Sequence, residues 1–448
     1  MRAKASFLGL VCVASVGACS SGGPPSGFAS SSSSGSSGGS TSSGSSGSGT
    51  PEGDGSVGMF GSSSGGSGSG GPSSTCNVTD QNVDMDMDGW TPAQGDCNDC
   101  DPNVNPGAID VWHEPADGGA GYWGDEDCSG NPGDNAMPCD TGLALDDVTA
   151  GDGAKAIELC ATATTSDRKY GVLSASYVRA NGTAVTTPGN QVGIEGAWGT
   201  NVKVQGGANM LVLSSGYART IGQPNACNGI SCVTNATGTP PTGFPEDDAA
   251  CPPTPAIADD IALELQIRAP TNATGYSFNF KFYSFEYPNY VCDTQGYNDQ
   301  FVALVNPAPT GAYVPSGSSF GNISFDSNHN PVSVNIGYFD VCDPTTPTRF
   351  AQSCKSSGGT CPALPSPYCP LGVGDLAGTG FDTWSTDGPA GATRWLKTQA
   401  PVTPGSTITI RFAMWDAGNA LYDSTVLVDD FQWIATGGTV GVGTTPAQ

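Results

Sequence analysis

The chain has 448 residues, with 15 Lys and Arg against 42 Asp and Glu, a formal charge of −27. That balance repels nucleic acid and anionic lipid and excludes both as partners of the folded part. With 65 Gly, 34 Pro and only 13% charged residues, the composition points to a secreted β-rich protein rather than a cytosolic enzyme.

Arg2 and Lys4 precede an apolar run from Phe7 to Val16 that is too short to span a membrane. The run ends in Val16-Gly17-Ala18-Cys19-Ser20, which resembles a bacterial lipobox. In that reading residues 1–18 are a lipoprotein signal peptide and Cys19 carries the lipid. Ser20, rather than Asp, directs the protein to the outer membrane. The plainer alternative is an ordinary signal peptide cleaved after Ala18, which leaves a free thiol.

Residues 19–75 are expected to be a disordered linker of Ser and Gly, since such side chains cannot build a core. Its root-mean-square span is on the order of 40 Å. Of sixteen cysteines, Cys12 leaves with the signal and Cys19 is lipidated, so fourteen remain. An even number in an oxidising compartment implies a disulfide framework. The close pairs Cys97/Cys100 and Cys227/Cys232 and the trio Cys354/Cys361/Cys369 suggest local bridges, and Cys292 is expected to reach Cys342. Zinc at Cys97-x-x-Cys100 is the competing reading, weakened by a total of two histidines.

Residues 76–139 form the most informative stretch. From Cys76 to Asp140 there are fifteen carboxylates and no Lys or Arg. Such a segment either stays disordered or is neutralised by bound cations, and its cysteines, Trp, Tyr and Pro argue for a folded, metal-stabilised module. In Asp84-x-Asp86-x-Asp88-Gly89 alternate carboxylates can converge on one ion while Gly89 allows a sharp turn and Trp90 offers a carbonyl. The match to an EF-hand stops there, because the twelfth position is Gly95 and Asp96 comes one residue late. Oxygen ligands select hard ions, so Ca2+ is the expected cofactor. The bland alternative is a set of solvated carboxylates.

Four blocks extend the pattern: Asp84 to Gly89, Gly95 to Asp99, Pro106 to Asp110, and Asp125-Glu126-Asp127-Cys128-Ser129-Gly130. In this order they resemble the metal-binding repeat named after the copper-binding protein MopE, over residues 84–134. The resemblance implies metal binding on an extracellular module, with Asp96, Asp99, Asp125 and Asp127 joining Asp84, Asp86, Asp88 and Trp90 as ligands. Ser129 stands where the family has Asp, and Cys100 is extra, which puts the second site in doubt. Copper is the minority choice, supported by Met85, Met87, Trp112 and His113.

Residues 140–435 are expected to be a β-sandwich domain. Leu143 to Ala163 contains a helical pattern with Asp152 as its cap. Beyond it the period becomes two: Ile261/Leu263/Leu265/Ile267, Phe278/Phe280/Phe282, Val332/Val334/Ile336 and Ile408/Ile410/Phe412/Met414. Turn-rich connections without crossover helices predict an antiparallel, jelly-roll-like sandwich. Residues 436–448 read as a flexible tail.

Separated blocks in this part resemble the choice-of-anchor L family of bacterial surface proteins. They are Leu213 to Gly216, Ser284 to Pro288, Tyr297 to Phe301, Asn322 to Phe325 and Asp416 to Val426. The resemblance implies an extracellular β-domain with no established activity. Within these blocks Glu286, Asp299, Asp416 and Asp423 fall at strand ends or turns. They could form a second cation site or a carbohydrate-contacting face, or simply cap turns through backbone amides.

Nucleophilic catalysis finds little support, since histidine is limited to His113 and His329 and no nucleophile elbow or zinc-protease helix is present. The expectation is a non-enzymatic surface lipoprotein with a Ca2+-binding module and a binding or adhesion sandwich. Its partners would be the membrane, through the lipid, and a glycan or surface protein. The alternative is a surface polysaccharide hydrolase using Glu286 and Asp423, with Trp384 and Trp395 stacking on sugar.

Overall fold

Period-two alternation decides the architecture, because it gives each strand one apolar face that must be covered. The structure is a computed structural model. It describes residues 76 and 78–447, except 117, 234–236, 248–250, 252, 255, 294, 336–337, 344–368, 383–389 and 436–437. The proposed lipidation site Cys19, the signal peptide and the Ser/Gly linker lie outside these residues, as do Cys354, Cys361 and Trp384.

In chain order the strands begin with a small ribbon, β1 (Trp112–His113) and β2 (Tyr122–Trp123). A helix, α1 (Ala150–Lys155), follows, and then β3 (Gly171–Val178), β4 (Val192–Glu195), β5 (Ala197–Trp198), β6 (Val202–Lys203) and β7 (Met210–Ser214). The long strands are β8 (Ile257–Arg268), β9 (Gly275–Ser284) and β10 (Gln300–Asn306), followed by the short β11 (Gly321–Asn322), β12 (Val332–Ser333), β13 (Phe339–Val341) and β14 (Gly391–Thr393). Last come β15 (Leu396–Pro401), β16 (Thr407–Ala417), β17 (Ser424–Ile434) and β18 (Gly443–Pro446).

Two antiparallel sheets pack face to face. One runs β11-β10-β16-β8-β3, with β12 also on the outer edge of β10. The other runs β13-β14-β9-β17-β7-β4, with β15 beside β14 on β9 and β18 beyond β15. Between them lie the alternating residues: Ile261, Leu263, Leu265 and Ile267 face Phe278, Phe280 and Phe282 across a core that also holds Ile408, Ile410, Phe412 and Met414. Phe278 meets Phe412 edge-on at 4.9 Å and Phe280 meets Phe301 at 4.8 Å, so aromatic contacts join the layers. The fold is mainly β, as the sequence predicts.

Both outer faces are partly covered too. Trp198, Met210, Val212, Tyr283 and Leu427 pack with Leu376 and Phe381, while Val302, Leu304, Ala413 and Trp415 pack with Phe244. Burial on both faces explains why Met210–Ser214 is apolar without alternation.

Four sequence expectations change. The helix is only six residues long, and its cap is Thr149, not Asp152. Thr149 Oγ1 accepts from Asp152 N and donates to Asp152 Oδ2, a reciprocal capping arrangement. Of Val332/Val334/Ile336, Val332 lies in a strand and Val334 in a turn, and Ile336 is outside the described residues. The expected flexible tail contributes β18, which pairs with β15 from Leu396↔Pro446 to Gln399↔Gly443. Among the described residues the disulfides are Cys76–Cys100, Cys97–Cys128, Cys139–Cys160, Cys227–Cys232, Cys251–Cys292 and Cys342–Cys369. Hence Cys97 and Cys100 belong to different bridges and hold no zinc, Cys292 does not reach Cys342, and Cys369 pairs outside its trio.

The sandwich has two ends that matter for the candidate sites. The turns β8–β9 and β15–β16 lie at one, and the acidic module docks there. Thr271 N donates to Gly107 O at 2.9 Å, and Asn272 holds both the N–H and the carbonyl of Ile109, at 3.0 and 2.8 Å. At the other end β9 and β16 finish and β10 and β17 begin.

Candidate metal centres

The acidic module is built from two loops of like construction. In each, an Asp accepts from the glycine N–H five residues on: Asp84 from Gly89 at 2.9 Å, Asp125 from Gly130 at 3.0 Å. The third residue after that Asp has positive φ in both loops, Met87 at 65° and Cys128 at 57°, and so does the glycine, Gly89 at 94° and Gly130 at 81°. Only glycine adopts the last of these conformations at little steric cost. Asp86 Oδ1 accepts from Asp88 N at 3.2 Å, as Asp127 Oδ1 accepts from Ser129 N at 2.8 Å. Ser129 takes the place of Asp88, its hydroxyl accepting from Asn131 N as Asp88 Oδ1 accepts from Trp90 N.

Asp84 commits both oxygens to backbone amides, of Met87 and Gly89, whereas Asp86, Asp88, Asp96 and Asp99 each commit one. Asp96 Oδ1 accepts from Asn98 N at 2.8 Å, and Asp99 Oδ1 from Met85 N at 2.9 Å. The second oxygens, Asp86 Oδ2, Asp88 Oδ2, Asp96 Oδ2 and Asp99 Oδ2, are buried without a hydrogen-bond partner. One oxygen each from Asp84, Asp86 and Asp99 lie within 4.8 Å of one another, as do those from Asp86, Asp88 and Asp96, so Asp86 is common to both trios. Burial, and after it the neighbouring carboxylates, pushes Asp86 up to about 6, and burial raises Asp88 and Asp96 as well. This is what clustered acids do when protons are the only available neutralising charge.

In the second loop Asp127 meets Asp110 and Asp134 within the same 4.8 Å. Asp110 accepts from Asp127 N at 3.3 Å and Gly133 N at 2.5 Å, and Asp134 Oδ2 accepts from Ser129 Oγ at 3.1 Å. Asp125 is not in this trio; both its oxygens accept from Gly130 N. Sequence reasoning missed Asp110 and Asp134, although Asp110 closes one of the four quoted blocks. Cys97–Cys128 ties the two loops together.

Trp90 is buried, its ring beneath Arg168, whose guanidinium lies 4.0 Å from the ring centre. His113 Nε2 meets Glu126 Oε1 at 2.6 Å, and Glu126 Oε2 accepts from Val111 N. Beside the second loop a cleft of about 690 Å³ is lined by Asp110, Trp112, Trp123, Asp134, Glu158 and Trp433. Trp112, Tyr122 and Trp123 are exposed on the β1–β2 ribbon. Sequence reasoning missed this aromatic patch and put weight instead on Trp395, which packs partly buried against the sandwich.

Of the four candidates at the far end of the sandwich, Glu286, Asp299 and Asp416 converge in its interior, and the charge of Asp423 bears on Asp416. Glu286, Asp299, Asp416 and Asp423 are at most 4% exposed. They therefore cannot form a carbohydrate-contacting face, and Glu286 and Asp423 are not the open-groove pair that a hydrolase requires. His329 stacks on Phe325 at 4.7 Å in its turn.

An antiparallel sandwich carrying a disulfide-braced acidic module defines the class of this protein. The profile of the Choice-of-anchor L domain matches residues 171–431, from the first residue of β3 into β17, and the chain belongs to that family. The domain marks a bacterial surface-associated protein and is not that of a known enzyme family. No curated protein and no solved structure matches the chain. Among the described residues no helix is long and apolar enough to cross a membrane.

Proposed function

We propose that this is a lipid-anchored outer-membrane protein whose module, residues 76–139, binds Ca2+ and whose sandwich, residues 140–435, serves binding or adhesion rather than catalysis. The cation assignment rests on one observation: four buried carboxylate oxygens, on Asp86, Asp88, Asp96 and Asp99, have no partner. Buried charge without a counter-charge is costly, and no Lys or Arg occurs between Cys76 and Asp140. A divalent ion would neutralise these oxygens, with the Trp90 carbonyl as a further ligand. An all-oxygen set favours Ca2+ over copper. The softer donors offer little help, since Met85 and Met87 are 44% and 87% exposed and His113 is engaged by Glu126. The likeness of residues 84–134 to the MopE-type repeat supports the same reading.

The exposed Trp112 and Trp123 beside Asp110, Asp127 and Asp134 favour a glycan as the partner. Indole faces stack on sugar rings, and a carboxylate-bound Ca2+ can take hydroxyls. The test is a glycan array probed with the full chain. The expected outcome is retention in Ca2+ that is lost with EGTA and with Trp112→Ala/Trp123→Ala. Retention unchanged by both treatments would overturn the assignment of the cleft.

A further inference from the structure

At the end of the sandwich opposite the module, four acidic side chains meet out of reach of water. Glu286 follows β9, Asp299 precedes β10, Asp416 lies in β16 and Asp423 precedes β17. Two therefore come from each sheet. One oxygen each from Glu286, Asp299 and Asp416 lie within 4.8 Å of one another, and these residues are 0%, 0% and 1% exposed.

The hydrogen bonds divide the oxygens into two sets. Asp299 is satisfied, with Oδ1 accepting from Ala417 N at 2.8 Å and Oδ2 from Ser424 Oγ at 2.5 Å. Glu286 Oε2 accepts from Asp299 N at 3.3 Å, and Asp423 Oδ2 from Cys232 N at 2.8 Å. No well-formed hydrogen bond reaches Glu286 Oε1, Asp423 Oδ1 or either oxygen of Asp416, although the Ala420 N–H bears on Asp416 and the carboxyls of Glu286 and Asp299 bear on each other. Among the described residues no Lys, Arg or His forms an ion pair with the four. Asp259, also fully buried, adds a fifth carboxylate whose charge bears on Asp299, Asp416 and Asp423.

We infer that these residues form a buried Ca2+ site that staples the two sheets together. Asp416, with neither oxygen held in a well-formed hydrogen bond, is the bidentate ligand, Glu286 Oε1 and Asp299 complete the trio, and Asp423 Oδ1 supplies a fourth carboxylate. Several negative charges in a dry interior demand a multivalent cation rather than a monovalent one. The number of carboxylates and their burial away from bulk water favour Ca2+, which accepts many oxygen ligands, over Mg2+, which keeps several waters. Burial, followed by mutual repulsion, pushes Glu286 and Asp416 far above the carboxylate range, so the competing account is a cluster held by shared protons. The site stands apart from the acidic module and does not depend on it.

The test is native mass spectrometry of the full chain bearing Asp86→Asn and Asp127→Asn, which disable the module's centres, after dialysis against EGTA. The expected result is a single retained Ca2+ per chain, lost when Glu286→Gln and Asp416→Asn are added. Should that variant not fold, Asp423→Asn in the same background and the Asp86→Asn/Asp127→Asn chain refolded in EGTA give the same comparison. Both should lose the ion, and Ca2+ should restore it to the refolded chain. A folded chain that retains no Ca2+, or whose Ca2+ content is unaffected by these substitutions, would overturn the site. So would a Glu286→Gln/Asp416→Asn chain more stable than its parent in saturating Ca2+, because neutral side chains would then replace protons.

Discussion

The guanidinium of Arg168 lies 4.0 Å from the centre of the Trp90 ring, and its Nη1 donates to the carbonyl of Gly89 in the same acidic loop. Its Nη2 donates to Gln94 Oε1 at 2.9 Å. A cation from the segment just before β3 thus grips the back of a loop that has no cation of its own.

Removing that grip should loosen the loop without melting the sandwich. Arg168→Leu loses an exposed cation–π contact and its hydrogen bonds, together worth about 1 kcal/mol. Hydrogen exchange in Ca2+ should show faster exchange at residues 84–100 and unchanged protection in β8, β9 and β16. Uniform protection throughout would show that the contact is inert.

Asp86 belongs to both trios of the first loop. Asp86→Asn should therefore weaken Ca2+ binding more than Asp84→Asn, which disturbs one trio and a turn. Conversely, Ser129→Asp adds a carboxylate beside Asp134 and should tighten the second centre, since charge count tunes Ca2+ affinity. Terbium titration of each variant ranks the affinities, and the reverse order for Asp84 and Asp86 would show the shared-ligand argument to be wrong.

Much of this was legible in the sequence, for a physical reason. Strands that bury one face alternate, so Ile261–Ile267 and Ile408–Met414 announced β8 and β16. Met210–Ser214, buried on both faces, carries no period, and β18 is too short and polar to signal itself. The Asp84–Gly89 loop was readable because its ligands are close in sequence. Asp110 and Asp134 were missed because the fold brings them to Asp127. The burial of Glu286 and Asp423 could not be foreseen, since nothing in a one-dimensional spacing distinguishes an open strand end from one roofed by a loop.

The bridge Cys97–Cys128 spans 31 residues and fixes the first loop against the second. Closing a loop of that length restricts the unfolded chain by roughly 3 to 4 kcal/mol. Cys97→Ala/Cys128→Ala should lower Ca2+ affinity at both centres and speed proteolysis of the module. Peptide mapping of the wild type should recover Cys97 joined to Cys128 and not to Cys100.

Glu246 is 5% exposed, and burial, followed by the Asp326 charge, pushes its carboxyl up to about 8. Its folded pKa exceeds the unfolded value of about 4.5, so the folded state binds more protons between them. Stability from this group is present below pH 4.5 and declines as pH rises toward 8, each pH unit counting about 1.4 kcal/mol at most. In saturating Ca2+, Glu246→Gln should flatten the fall in Tm between pH 5 and 8. An unchanged slope would remove Glu246 from the account.

The central claim is that the acidic module is held by Ca2+, and calorimetric titration of the calcium-stripped full chain tests it most directly. The account predicts Ca2+ binding that saturates, with the first-loop part lost in Asp86→Asn and the part at Asp110, Asp127 and Asp134 retained. Absence of binding heat at several temperatures, or a titration identical in wild type and Asp86→Asn, would contradict it.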